Sequence, residues 1–231
     1  MVPEDKAALT IQRFFASYQL KKQNVAQQAI ATNPASKLLH AFDLRFQCMK
    51  AVAAAKFPIN KPIEDPEQVV RVIASIRKIA EEKGITNLAA IERLFYQNIV
   101  LAERIQAPYY HLIWRKSYQA GVNHQRLIDN AYKQLSGIVQ TFNVPATVDS
   151  EKTCFESNDV LSLAREVIQY ASKMIIDVLA EAEQLSNAAL QEAFSDAFEK
   201  MLAVYMTPSC LSRSKENIRL VVQDINHCST I

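Results

Sequence analysis

Glycine is almost absent from this chain, occurring 3 times in 231 residues. Between the glycines run long stretches rich in Ala, Leu, Gln, Glu and Lys, residues that lose little side-chain freedom in a helix. No run of β-branched and aromatic residues alternates with period two, as a half-buried strand requires. The chain therefore reads as all-α, and its 49% hydrophobic content is enough for a sizeable core.

The punctuation sets the order of the helices. Pro3, Glu4 and Asp5 read as a helix start, with proline in the first turn and acids near the positive end of the dipole. That helix runs to about residue 27. Asn33-Pro34 starts a second helix reaching about residue 56, and Pro58 and Pro62 place a loop over 57–64. Asp65-Pro66 starts a third helix ending near Gly84, and Asn87 caps a fourth that runs to about residue 118. Leu88, Ile91, Leu94, Phe95, Ile99 and Ala102 give the fourth helix an apolar stripe. Trp114, Tyr109 and Tyr110 lie further along it and read as core aromatics. Gly121 breaks the chain before a fifth helix over 124–142. The polar stretch 143–156 is the best boundary, and helical patterns follow at 157–185, 187–206 and 214–225. Three parts result: 1–30 as an N-terminal helix, 33–142 as a helical domain, and 157–231 as a helical extension packed on the bundle.

Composition excludes several classes. A net charge of +2 is too balanced for a nucleic-acid binder. Cys48, Cys154, Cys210 and Cys228 show no metal-ligand spacing and suit a reducing cytosol. Cys48, in a helical pattern, reads as a small buried apolar group. His40, His111, His124 and His227 form no constellation with Cys or Asp, so no metal is expected. No apolar run reaches the length of a membrane span, and the N-terminus has no signal-peptide core.

One constellation carries chemistry. Arg45 and Lys56 stand eleven residues apart in LLHAFDLRFQCMKAVAAAKF, followed by Pro62-Ile63-Glu64-Asp65-Pro66 and then by FYQNIVLAERIQ ending at Gln106. In order and spacing these resemble the helical chorismate mutase family, its secreted-type subclass, over about residues 38–114. The resemblance implies a chorismate-mutase-like helical bundle with additional C-terminal helices. It also implies a pericyclic conversion of chorismate to prephenate that needs no nucleophile, metal or cofactor. Such a site holds a dicarboxylate in its compact conformer and places donors at the breaking ether bond. By the resemblance Arg45 grips a carboxylate, Lys56 bridges a carboxylate and the ether oxygen, and Gln106 donates to the ether oxygen.

The sequence departs from that pattern where the family carries Arg-Glu after the proline loop. Gln68 and Val69 stand there, so a principal carboxylate ligand has lost its charge. Ala102 replaces a position that often carries a hydroxyl. A further cation is expected early in the next helix, where the register points equally to Arg126 and Gln125. Arg71, three residues after Gln68 on the same helix face, is a candidate replacement.

The N-terminal helix contains Ile11, Gln12, Phe14, Phe15, Tyr18 and Lys21, with Arg13 and Lys22 adding charge. This resembles an IQ motif, which implies calmodulin or a calmodulin-like protein as partner in a helix-in-groove mode. Ala16 and Ser17 depart from that pattern. The competing reading packs this stripe on the chain's own bundle.

Two readings remain open. One is a chorismate-mutase-like protein with a degenerate or altered site that also binds calmodulin, as a bacterial effector in a host cell would. The other is an active cytosolic chorismate mutase. With one cation missing, a related anion bearing a single carboxylate is a third ligand to consider. The expected location is cytoplasmic, in the host-cell cytosol for an effector.

Overall fold

A computed structural model describes residues 34–120, 123–149, 152, 154–181 and 188–228. The IQ-like residues Ile11, Gln12, Phe14, Phe15, Tyr18 and Lys21 lie outside the described residues. The described chain is helical, with no strand: α1 Pro34–Gln47, α2 Met49–Lys56, α3 Pro66–Glu82, α4 Leu88–Ala120, α5 His124–Phe142, α6 Ser157–Glu181, α7 Ala188–Leu202, α8 Pro208–Arg213 and α9 Lys215–Cys228.

The start and stop residues act as their chemistry requires. The Asp65 side chain accepts a hydrogen bond from the Gln68 N–H at 3.0 Å, with Pro66 next in the first turn of α3. Gly84 at φ 78° closes that helix, where a side chain would be strained. Asn87 accepts from the Ala90 N–H, and Asn123 from the Arg126 N–H. Asn143 ends α5 in the left-handed region at φ 49°, which asparagine tolerates.

Three details differ from the sequence expectation. The helix expected over 33–56 is interrupted at Cys48, whose N–H bonds back to the Arg45 carbonyl, and α1 and α2 result. α8 is an extra turn, capped by Thr207 and opened by Pro208, too short to show an apolar period. As expected, α4 passes through Pro108 without ending. Proline cannot donate to the carbonyl four residues back, and that carbonyl, of Arg104, accepts instead from the buried Cys210 thiol at 3.6 Å. The third difference concerns Trp114, which is not a core residue. It is 52% exposed beside exposed Leu112, because α4 continues outward past Pro108. Tyr109 is half-buried, and Tyr110 packs edge-on against Phe57.

α2 lies at the centre. Its Ala51, Ala53, Ala54 and Ala55 are buried and let α4, α5 and α6 all approach it closely. α1 packs on α6 and α7 through Phe42 and Phe46, whose rings meet Phe198. α9 lies along α4, where Arg93 pairs with the buried Asp224 at 2.9 Å. The connection 143–149 is tied down too: Tyr132 donates no slack, since its ring stacks on Phe155 at 3.7 Å and its hydroxyl accepts from the Asp149 N–H. Among the described residues no helix is long and apolar enough to cross a membrane.

Candidate anion-binding site

α1, α2, α3, α4 and α6 enclose a cavity of about 190 Å³. α1 brings Arg45 and α2 brings Met49, Val52 and Lys56. The loop and α3 bring Lys61, Ile63, Gln68 and Val72, α4 brings Ala102, Glu103 and Gln106, and α6 brings Arg165 and Gln169. Five of the residues singled out in the sequence, Arg45, Lys56, Gln68, Ala102 and Gln106, therefore meet at one place.

Arg45 is only 4% exposed. Its Nη1 donates to Ser172 Oγ at 3.0 Å, while its Nε has no partner. Burial draws the guanidinium down to about 10, still far above neutral pH, so it is charged where it sits. A buried donor left unmade costs about 1–3 kcal/mol. Lys56 donates to the Ile63 carbonyl at 2.7 Å, which fixes the loop over the cavity and leaves two ammonium protons. Burial and Lys61 pull its pKa below the usual lysine value, against Asp65 and Glu103.

Gln106 is buried, and its Nε2 is engaged by the Ala102 carbonyl at 3.3 Å and Met49 Sδ at 3.4 Å. Its Oε1 has no partner. In this arrangement Gln106 offers an acceptor, and donating to an ether oxygen requires the amide to turn over. Glu103, one turn earlier, is pushed above the usual carboxylate range by burial and Glu64, with Lys56 opposing.

The proposed replacement cations stand elsewhere. Arg71 is 60% exposed and turns along its own helix, to Gln68 Oε1 at 3.2 Å and Glu67 at 3.6 Å. It borders a wider groove between α3 and α6 and does not line the cavity. Arg126 is exposed and does not line it either. Gln125 bonds to Asp129 and the Phe155 carbonyl. The α5 register therefore supplies no group here.

Residues 36–107 match the family model of chorismate mutase type II. No curated protein and no solved structure matches the chain. The chorismate mutase match supports a chorismate-mutase-like helical fold, and its span contains Arg45, Lys56, Gln68, Ala102 and Gln106. It stops before α6. Arg165, Gln169 and Ser172 were not singled out in the sequence. Glu103 was legible in principle, three residues before Gln106 on the same face. The α6 residues had no such signal, because only the tertiary fold brings them to the chorismate-mutase-like segment. Among the described residues no group of His, Cys, Asp and Glu is placed to hold a metal.

Proposed function

We propose that the cavity binds chorismate or a closely related small carboxylate and promotes its rearrangement to prephenate slowly, through an altered chorismate mutase site. The observation that carries this reading is the convergence of buried Arg45, half-buried Lys56 and buried Gln106 on one cavity. Arg45 offers its free Nε to a carboxylate oxygen, and Lys56 offers the protons not taken by Ile63. Met49, Val52, Val72 and Ile99 give apolar walls that exclude water from a carbon skeleton. A concerted rearrangement asks only for this: a held conformer and charge where the C–O bond breaks.

Gln68 sets the rate. A neutral side chain in place of a preorganised cation costs on the order of 10²–10³ in turnover. The test is chorismate consumption by the purified protein, Lys56→Ala and Gln68→Arg. Slow turnover by the wild type, lost in Lys56→Ala and raised in Gln68→Arg, is the expected pattern. Failure of the wild type to bind chorismate in a calorimetric titration would end this reading.

A second, separate reading concerns residues 7–23. The apolar stripe of Ile11, Phe14, Phe15 and Tyr18, flanked by Arg13, Lys21 and Lys22, supports binding to a calmodulin-like partner. A pull-down with and without calcium, using the wild type and the Ile11→Ala/Gln12→Ala double variant, decides it. No calmodulin captured by the wild type removes the partner.

A further inference from the structure

α6 presents a continuous face to the cavity and its adjoining groove. Leu161, Ala164, Arg165, Ile168, Gln169 and Ser172 recur at the three- and four-residue spacing of one helix side. Leu161 and Ala164 are buried and form its apolar floor. Ser172 holds Arg45 and is itself oriented by donating to the Ile168 carbonyl at 2.7 Å. Between these two ends stands Arg165, exposed at the mouth. It makes no hydrogen bond or ion pair with any described residue.

The other cations of this region are engaged. Lys61 lies 3.6 Å from Asp65, Lys56 holds the Ile63 carbonyl, Arg45 holds Ser172, and Arg71 holds Gln68 and Glu67. Arg165 is the cavity-lining cation left without a partner among the described residues. Gln68, where the charge is missing, lines the same cavity. Four cationic side chains (Arg45, Lys56, Lys61, Arg165) and two acidic ones (Asp65, Glu103) line it, an excess of two positive charges. That excess matches a ligand with two carboxylates, and without Arg165 only one positive charge would remain.

We propose that Arg165, carried by α6, is the specificity-determining residue that restores at the cavity mouth the cation missing at Gln68. α6 is then a wall of the binding site as well as a packing element. The inference rests on the proposed anion site but adds a residue and a helix outside the region of family resemblance. A guanidinium suits the task because its planar fork meets a carboxylate with two parallel hydrogen bonds. Its exposure makes each bond weaker than those of buried Arg45.

The test uses two defined probes on the full chain: benzene-1,3-dicarboxylate and benzoate, titrated by calorimetry into wild type, Arg165→Gln, Lys56→Ala and Arg165→Gln/Gln68→Arg. The wild type is expected to prefer the dicarboxylate. Arg165→Gln should weaken the dicarboxylate about three- to tenfold and leave benzoate unchanged. Moving the charge back to position 68 in the double variant should restore the preference. A purely surface role for Arg165 predicts no selective loss, and a folding role predicts equal loss for both probes with no rescue. Either result overturns the proposal. If Lys56→Ala abolishes binding of both probes while Arg165→Gln changes neither, the anion site stands and the α6 assignment falls. If the wild type binds neither probe, both fall.

Discussion

α1–α2 and α3 both border the cavity, yet they are built on opposite terms. α1 buries Leu38, Phe42, Leu44 and Phe46 completely, and α2 buries its four alanines. A charge on this unit, Arg45, is desolvated and held in one place by a partner on α6. α3 fully buries only Ile76 and Ala80, and in its first turn Pro66 and Glu67 are exposed while Gln68 and Val69 are partly buried at the cavity. A side chain there is inexpensive to place and loosely held, as Arg71 illustrates by folding back along its own helix. The lesson concerns where charge can be lost. The side chain at position 68 is free to vary without disturbing the start of α3, because the Asp65 cap uses the Gln68 backbone and not its side chain. Losing Arg45 would empty a built pocket.

The sharpest way to break this comparison is to remove charge from the buried side. Lys56→Ala is expected to lower chorismate turnover by on the order of 10²–10³, measured by substrate depletion. As pH rises toward the lowered Lys56 pKa, the ammonium is lost, so anion affinity should fall at a pH below the usual lysine range of about 10.5.

Arg45→Met separates stability from function. A buried charge with one hydrogen bond and an unmade Nε is replaced by a side chain of similar reach, so the variant should gain about 1–4 kcal/mol in denaturant unfolding while losing anion binding. A destabilised variant would mean that α1 depends on its charge.

Ser172→Ala keeps the charge and removes its acceptor. It should cost about 1–3 kcal/mol by the same measurement. Asp65→Ala removes the α3 cap and should cost about 1 kcal/mol. The backbone N–H of Gln68 holds the Asp65 carboxyl below its ordinary range. Its contribution is therefore complete above the unfolded pKa of about 3.9 and is lost as pH falls through the lower folded value. The variant should lack that part of the acid unfolding slope. Smallest of all, Val70→Lys on the outer face of α3, where Val70 is 70% exposed, should change stability by less than about 0.5 kcal/mol.

This contrast also explains what was legible in the sequence. Caps and breakers act locally, so Pro34, Asp65-Pro66, Gly84 and Asn87 mark helix ends within a residue or two. The convergence of Arg45, Lys56 and Gln106 on one cavity was legible because the family resemblance fixes their spacing along α1, α2 and α4. Trp114 was misread because an apolar residue on a long helix says nothing about whether the bundle continues beside it. The run of α4 through Pro108 was legible, but the acceptor that proline frees, the Arg104 carbonyl, is met by Cys210, 102 positions after Pro108. Arg126 and Gln125 were candidates for a similar reason: register along the chain pointed to the next helix, whereas the cavity wall comes from the one after.

The bond between Arg45 and Ser172 joins positions 127 residues apart. It has a consequence for how the chain can be divided. A fragment cut to the region of family resemblance would keep Arg45, Lys56 and Gln106 but leave the cavity open along one side, with a guanidinium deprived of its acceptor. The smallest piece that encloses the cavity must extend through α6, so the inheritable unit is longer than the recognisable one. Mutations along α6 should then be filtered by the ligand as strictly as those in the part of the chain that looks like an enzyme.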